Sequence, residues 1–366
     1  MRILIVRPGA FGDIVHTLPL AMDLTVAGHE VGWLAEDRWS CLLEGSPSVA
    51  RVHRLDRAGL RGRRGLGGRL AALASIRRQL RGSYDAVIDA QGLAKSSLFS
   101  LLSGAPIRVG HAWPRARECS SLVPARRAPA VATHVIDQQR ALALPLGVRA
   151  AGGWRFALPR WNHEHAWAKA WMAERGLVRP WLLNVGAGWP TKVWPEERQL
   201  QFASRLAAQQ VPLVVAWGSP AERIVAERIA VCHGVLAPPT TIPQLAGLLA
   251  QGAVVVSGDT GPLHLAHALG TPTIGLFGPV PAERNGPRGT SAINLQAPGA
   301  AWERRDLSKV AMGAITAEQV IAAAQQVIAA ADQVVARPGL TARPGQAARL
   351  GKAARFGQTS SGPDLV

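Results

Sequence analysis

The 366-residue sequence has few cysteines, namely Cys41, Cys119 and Cys232, and they are far apart and in no C-x-x-C spacing. Such thiols form neither a disulfide framework nor a cysteine-based zinc site, and they favour a reducing compartment. No uncharged apolar run reaches the ~18 residues that a bilayer span needs. The opening MRILIV lacks the long apolar core of a signal peptide and meets Gly9 and Asp13 at once. It therefore predicts the first strand of a cytosolic protein.

Several motifs that commonly carry chemistry are also absent. The chain has no D-x-D clamp for a metal–diphosphate complex, no Walker lysine motif and no G-x-S-x-G turn. The turn PGAFGD (8–13) lacks the third glycine of G-x-G-x-x-G, although Glu36 at the end of the second predicted strand could accept a ribose hydroxyl. A Rossmann oxidoreductase therefore stays open as a disfavoured alternative.

Acidic residues are scarce in one segment of a chain whose formal net charge is +17. Between Arg51 and Arg81 there are ten arginines and one acid, Asp56. Such a field attracts polyanions, which include nucleic acid, anionic lipid and phosphorylated glycolipid. The alternative is an arginine-rich solvated surface. With one tyrosine, six phenylalanines and no zinc-finger spacing, sequence-specific nucleic-acid binding is the weaker functional interpretation.

Short apolar runs alternate with helical patterns, and this series occurs twice. The predicted strands are 3–6, 29–35, 84–90 and 107–111, then 181–187, 211–218, 253–259 and 271–278. The predicted helices between them are 14–26 and 70–80, then 196–209, 221–232, 242–251 and 263–269. Most strands are apolar without alternation, which is typical of parallel sheets covered on both faces. We therefore expect an α/β fold of two doubly wound domains, with the ligand cleft between them.

The segment FALPRW (156–161) interrupts this pattern and predicts the domain boundary. The first domain is expected over 1–160 and the second over 161–332. A last helix is predicted at about 317–331. Residues 333–366 contain ARPG twice, many glycines and few large apolar side chains, so we expect a mobile basic tail.

Two turns at strand ends carry carboxylates. Asp13 either caps a helix that starts at Ile14 or takes a proton from an acceptor hydroxyl in the cleft. In AWGSPAE (216–222), Glu222 either accepts hydrogen bonds from ribose hydroxyls or merely occupies a first helical turn, where acids are favoured.

Two further turns suit phosphate. SGDTGPLH (257–264) starts a helix whose free N–H groups can bind phosphate oxygens, although Asp259 and Thr260 could instead cap that helix. His264 and His267 follow, and we expect one to reach a diphosphate and the other to pack rather than a zinc pair. In NVGAGWPTKVW (184–194), small residues allow close backbone approach, and Lys192 supplies a point charge unless it is simply solvated.

These segments, in this order, resemble glycosyltransferase family 9, the heptosyltransferases of lipopolysaccharide core synthesis. The resemblance covers roughly 1–331 and is carried by MRILIVRPGAFGDIVHTLPL, YDAVIDAQGLAKS, HVIDQQRALALPLG, GAGWPTKVWPEE, AWGSPAE and GDTGPLHLAHALGTPTIGLFGPVPAERNGPRG. It implies a GT-B fold with an acceptor domain first and an ADP-heptose domain second, and a last helix that returns to the first domain. It also implies an inverting transfer from ADP-heptose to Kdo of Kdo2–lipid A, without a required metal or other cofactor.

The resemblance assigns roles to individual residues. It implies Asp13 as the general base. The donor-binding positions of the family are occupied here by Lys192, Glu222, Asp259, Thr260, Gly261 and His264. The lysine and the D-T-G turn are expected to bind the diphosphate, and Glu222 the ribose. Ala187 and Gly188 stand where some members have phosphate-binding threonines, so backbone N–H groups are expected to substitute there.

The resemblance defines the acceptor site less closely than the donor site. The expected acceptor-binding residues are Gly12, Lys95, Arg61, Arg63 and Arg64. An anionic glycolipid acceptor implies peripheral contact with the cytoplasmic face of the inner membrane, and no nucleic-acid partner. Two alternatives stay open: a related transferase that adds a second heptose or glycosylates another glycan or a protein, and a nucleotide-binding module without turnover.

Overall fold

The computed structural model describes residues 1–60, 65–113, 118, 122–130, 132–150 and 152–336. The predicted acceptor residues Arg61, Arg63 and Arg64 lie outside the described residues, and so does the predicted tail from 337 onward.

The first sheet contains six parallel strands: β1 (Arg2–Val6), β2 (Glu30–Glu36), β3 (Arg51–Leu55), β4 (Ala86–Asp89), β5 (Ile107–His111) and β6 (Arg126–Ala128). Their spatial order is β3-β2-β1-β4-β5-β6. In this register Ile3 lies beside Val31 on one side and Ala86 on the other. This is the doubly wound order, in which ligands bind at the carboxyl ends where the winding reverses.

The second sheet repeats this order. Its parallel strands are β7 (Trp181–Asn184), β8 (Leu213–Ala216), β9 (Val235–Leu236), β10 (Val254–Gly258), β11 (Thr273–Phe277) and β12 (Ala292–Gln296). They lie in the order β12-β11-β10-β7-β8-β9. Two such sheets confirm the predicted α/β fold of two doubly wound domains, and each of the eight predicted strands is present.

Twelve helices in the described part of the chain connect and cover the sheets: α1 (Phe11–Val26), α2 (Arg57–Leu60), α3 (Gly65–Leu80), α4 (Ala94–Ser103), α5 (Val135–Arg140), α6 (Asn162–Ala173), α7 (Glu196–Ala208), α8 (Pro220–His233), α9 (Ile242–Gln251), α10 (Gly261–Ala268), α11 (Ala282–Asn285) and α12 (Ala317–Ala336). None of the helices described is long and apolar enough to cross a membrane.

Strand β1 shows why the apolar runs do not alternate. Ile3 and Ile5 belong to one buried cluster, whereas Leu4 and Val6 belong to another on the opposite face. All four side chains are fully buried. Because successive side chains point to opposite faces, a strand covered on both sides must be apolar at every position.

Local signals fix several helix starts. Ser219 accepts a hydrogen bond from the Glu222 N–H at 3.3 Å, and Pro220 follows it as the first helical residue of α8. Thr241 and Gln244 form a reciprocal capping box at the start of α9. These side chains satisfy N–H groups that the first turn of a helix otherwise leaves free.

The last helix corrects one expectation. Helix α12 packs against α7 and strands β10, β11 and β12. Its buried Val320, Ala324 and Val327 belong to the core of the second sheet, so the expected return to the first domain is wrong. The spacing of these residues forms one apolar stripe that the second sheet covers. The helix also continues to Ala336, so the first residues of the predicted tail are helical.

Candidate active site

A cleft of about 650 Å³ lies between the two domains and is lined by residues from both. The first domain contributes Gly12 and Asp13. The second contributes six of the lining residues that the sequence predicted: Gly188, Lys192, Asp259, Thr260, Gly261 and His264. Ala187 and Glu222 are not among the residues that line it. The structure therefore brings the predicted base and most of the predicted donor residues to one cavity.

Asp13 lies inside the first turn of α1, because this helix begins at Phe11 and not at Ile14. Its Oδ2 accepts a hydrogen bond from the Ala10 N–H at 3.1 Å, and its Oδ1 pairs with Arg7 Nη2 at 2.8 Å. The Asp13 side chain is 39% exposed and faces the cleft. The Asp13 carboxylate therefore accepts a hydrogen bond at the start of α1 and also faces the cleft, so the two predicted roles are compatible.

Arg7 is a functional candidate that the sequence analysis did not single out. It follows strand β1, and its Nη1 donates to the carbonyl of Ala90, just past the end of β4. Its side chain is only 7% exposed. The sequence feature that could have indicated Arg7 is its position directly after a buried apolar strand, since a buried guanidinium needs charged or polar partners.

Asp259 is the centre of the polar cluster on the second domain. Its Oδ2 pairs with Lys192 Nζ at 2.6 Å, and its Oδ1 lies 3.0 Å from His264 Nε2. Asn285 Nδ2 donates to Oδ2 at 3.3 Å. Burial alone raises the pKa of the Asp259 carboxyl, but His264 and Lys192 outweigh this effect and hold that pKa well below its usual range. Asp259 is therefore an ionised side chain that orients Lys192 and His264.

The start of α10 is left open toward the cleft. Thr260 is the N-cap residue, yet its side chain makes no capping hydrogen bond, and Oγ1 lies 3.1 Å from Ser257 Oγ. Neither Asp259 nor Thr260 thus caps the helix through its side chain. The free N–H groups of such a turn and the helix dipole favour an anion at this position.

Two glycines let the domains approach closely at this point. A Cβ on Gly12 would lie 2.9 Å from Cδ2 of His264, and one on Gly261 would overlap the ring of Phe11. The structure thus gives Gly12 a packing role between α1 and α10, in addition to its place in the cleft wall.

Histidines line the same interface. The His16 and His264 rings lie 4.0 Å apart, and burial together with His264 holds the pKa of His16 well below its usual value. His267 packs against the Phe156 ring at 5.6 Å, and burial lowers its pKa to about 4. Of the two histidines in the predicted pair, only His264 reaches the cleft.

Glu222 occupies the first turn of α8, and its Oε2 accepts a hydrogen bond from the Gly218 N–H at 2.7 Å. Its carboxylate lies against Gly186, where a Cβ would overlap it. It therefore lies beside the glycine turn that leads to Gly188, and it does not line the cleft.

An aromatic contact beside Lys192 was not predicted. Lys192 Nζ lies 4.5 Å from the centre of the Trp189 ring, and Arg304 Cζ lies 4.5 Å from the same centre. Both cations line the cleft. The sequence feature that could have indicated this contact is the tryptophan in GAGWPTK, since arginine and lysine favour tryptophan faces.

A second cavity of about 680 Å³ adjoins the first, and Asp13 and Gln91 line both. Among the described residues, its charged side chains include Arg38, Arg57, Arg69, Lys95 and Glu36, and Glu36 pairs with Arg38 and Arg57. Its apolar side chains include Leu55, Leu73, Leu98 and Phe99. The predicted acceptor residue Lys95 thus lies in a basic, partly apolar cavity that meets the cleft at Asp13.

Residues 73–312 match the model of glycosyltransferase family 9 (heptosyltransferase). The chain belongs to this family. It is 32% identical to lipopolysaccharide heptosyltransferase 1 of Pseudomonas aeruginosa over 305 residues, which are 81% of this chain and 83% of the relative. It is 29% identical to lipopolysaccharide heptosyltransferase 1 of Escherichia coli K12 over 81% of this chain and 94% of that protein.

Solved structures agree with this family assignment. The structure of E. coli heptosyltransferase WaaC with ADP superimposes with a TM-score of 0.73 at 27% identity, covering 88% of this chain and 98% of that one. The same enzyme with ADP-2-deoxy-2-fluoro heptose gives a TM-score of 0.71. The predicted GT-B architecture of a glycosyltransferase is thereby confirmed. The roles of individual residues and the absence of a required metal or cofactor stay predictions.

Proposed function

We propose that this chain is an inverting transferase that moves heptose from ADP-heptose to Kdo of Kdo2–lipid A, in the lipopolysaccharide inner core. The observation that carries the proposal is the cleft in which Asp13 faces Lys192 and the open start of α10 across the domain boundary. The names of the relatives and the nucleotide-bound structures of one of them support the donor and the reaction.

The chemistry follows from this arrangement. Lys192 and the N–H groups at the start of α10 bind the diphosphate and stabilise the charge that develops on departing ADP. The acceptor hydroxyl attacks the anomeric carbon as the bond from that carbon to the diphosphate oxygen breaks. ADP leaves with the electron pair of that bond, and Asp13 takes the hydroxyl proton. The ion pair with Arg7 holds the carboxylate in place for this transfer.

The second cavity fits the acceptor. Kdo carries a carboxylate and lipid A carries phosphates, and Arg69 and Lys95 provide opposite charges beside apolar walls. Because Asp13 lines both cavities, an acceptor hydroxyl held in the second cavity reaches the base and the donor carbon at the junction.

Exposed leucines beside this cavity support contact with the membrane surface. Leu66 and Leu70 on α3 are 73% and 60% exposed, and Leu98 and Leu101 on α4 are also exposed. Helices α3 and α4 pack together, and both carry basic residues. Apolar side chains ringed by basic ones favour the surface of an anionic bilayer. The acceptor would then enter its cavity directly from the membrane.

Vesicle sedimentation tests this surface. Replacing Leu66 and Leu70 by serine should reduce binding to vesicles of phosphatidylcholine with phosphatidylglycerol. Replacing Val178 and Val231, which are 80% and 86% exposed in the second domain, should not. Equal binding by both variants would rule out this face as the membrane contact.

The catalytic proposal is tested by incubating the protein with ADP-heptose and Kdo2–lipid A. Mass spectrometry should show one added heptose, and NMR should show inversion at the anomeric carbon. A product formed only from an acceptor that already carries one heptose would show a different acceptor specificity. Donor hydrolysis or no turnover with either acceptor would count against the proposed reaction.

A further inference from the structure

The cation expected to bind the donor diphosphate is already engaged. Lys192 lies 2.6 Å from the buried Asp259 carboxylate, and their side chains are 12% and 3% exposed. Asp259 is ionised here, because its contacts with His264 and Lys192 hold its pKa well below the usual range. The charge of Lys192 is therefore offset before any ligand arrives. Each phosphate of a sugar diphosphate carries negative charge at neutral pH, so the site needs a further cation near Lys192.

Arg304 satisfies this requirement by position. It lines the same cleft, and its guanidinium lies over Trp189, the ring against which Lys192 also packs. Within the residues that the structure describes, no carboxylate lies within salt-bridge distance of this guanidinium. Its charge is thus available to a ligand.

The backbone around Arg304 is held by its neighbours. Glu303 Oε1 accepts hydrogen bonds from the N–H groups of Arg304, Arg305 and Asp306 at 2.8, 2.9 and 3.1 Å. The Glu303 carbonyl accepts a hydrogen bond from Thr191 Oγ1 at 2.8 Å, next to Lys192. The loop that carries Arg304 is therefore tied to the loop that carries Lys192, and Glu303 is occupied by these contacts.

We propose that Arg304, placed by Trp189, is a second phosphate-binding cation of the donor site. This inference rests on the proposed function, because it takes a sugar nucleotide as the ligand. A planar guanidinium can donate two parallel hydrogen bonds to phosphate, whereas Ala187 and Gly188 on the adjoining turn offer no side-chain donor. Arg304 then binds the diphosphate oxygens that Lys192, shared with Asp259, leaves uncompensated.

Calorimetric titration of ADP tests the proposal against a matched control. Arg304→Met should weaken ADP binding by about tenfold or more, since charge-assisted contacts are worth more than about 1.4 kcal/mol each. Arg305→Met removes the same charge from the next residue, which does not line the cleft, and should leave ADP affinity within about twofold. The ADP affinity of Arg304→Lys should lie between those of Arg304→Met and Arg305→Met, because lysine keeps the charge but lacks the planar guanidinium. Adenosine, which has no phosphate, should bind all four proteins equally.

Equal ADP affinity of Arg304→Met and Arg305→Met would overturn the proposal, and so would parallel losses for ADP and adenosine. Unchanged ADP affinity with a raised KM for the acceptor would assign Arg304 to the acceptor instead. If the unaltered protein fails to bind ADP, both this inference and the proposed donor are wrong. If the Arg304 effect is found but no heptose is transferred, the proposed reaction fails while the diphosphate contact stands.

Discussion

The Asp13 carboxylate is held by the Arg7 guanidinium at 2.8 Å, and the two side chains differ sharply in exposure, at 39% and 7%. The arginine is anchored in the protein interior through the Ala90 carbonyl, whereas the carboxylate reaches the cleft. A group that must receive a proton in a defined direction gains from such a buried support. Arg7 is thus a positioning residue for the proposed base.

Replacing Arg7 tests this support. Arg7→Met should lower kcat by about tenfold to 100-fold, since loss of one charge-assisted contact typically amounts to 1.5–3 kcal/mol, and ADP affinity should change little. Arg7→Lys, which can keep one contact with Asp13, should recover part of the rate. Steady-state kinetics and calorimetric ADP titration make the comparison. A lower melting temperature with unchanged kcat in both variants would show that Arg7 serves stability alone.

The pair of Lys192 and Asp259 links donor binding to stability. Lys192→Met should weaken ADP binding by about tenfold or more, and it should also destabilise the fold, because the buried Asp259 carboxylate loses one of its two close partners. Removing one partner of a buried pair typically costs about 3–5 kcal/mol.

A double variant separates these two effects. Lys192→Met combined with Asp259→Asn should regain part of the stability in urea unfolding, since the buried carboxylate is gone. Its ADP affinity should stay below that of the unaltered protein, because the phosphate contact of Lys192 is still missing. Wild-type ADP affinity in Lys192→Met would remove Lys192 from the donor site.

Part of the fold was hidden from sequence patterns. In strand β3 (RVHRL), His53 and Leu55 are buried and Arg51 and Arg54 are exposed. These arginines made the strand look like part of the basic segment around it. Strands β9 and β12 lie at sheet edges and are short or only half-buried, so they lack the strong apolar signal of central strands. Helix α4 is rich in serine, and Ser96 and Ser97 donate to Asp89. Such polar burial follows from a tertiary contact and not from periodicity.

The candidate site was also only partly predictable from the sequence. Asp13, Lys192 and the D-T-G turn were predictable, because each follows a strand at the edge where parallel sheets place ligands. The pairing of Lys192 with Asp259 was not, because 67 residues separate them. The place of Arg304 was not predictable either, since it belongs to a loop without regular structure that meets Trp189 only in the folded chain.

Histidine burial predicts loss of stability in acid. Burial lowers the pKa of both His134 and His267 from the ordinary 6.5 to about 4. Between these values the unfolded chain binds more protons than the folded one, so the free energy of unfolding should fall as pH drops from about 6.5 to about 4. Urea unfolding across this range measures the slope. His267→Phe should flatten this slope, because the ring packs against Phe156 and its Nδ1 has no hydrogen-bond partner among the described residues. An unchanged slope in that variant would show that His267 is not one of the groups responsible.

Asp13→Asn distinguishes the proposed base from a helix cap. The amide keeps the shape of the side chain, but it cannot take the proton of the acceptor hydroxyl. A positioned base typically contributes ~10²–10⁴-fold in rate, so kcat should fall by about two or more orders of magnitude. Donor affinity should change little, because the diphosphate contacts lie on the other domain. The amide can still accept from Arg7 or from the Ala10 N–H, but not from both, so a loss of about 1 kcal/mol in stability is expected. Kinetics, ADP titration and thermal unfolding of the same preparation decide the matter. Near-normal turnover with a melting temperature several degrees lower would make Asp13 a cap, and the base would then have to lie elsewhere in the cleft.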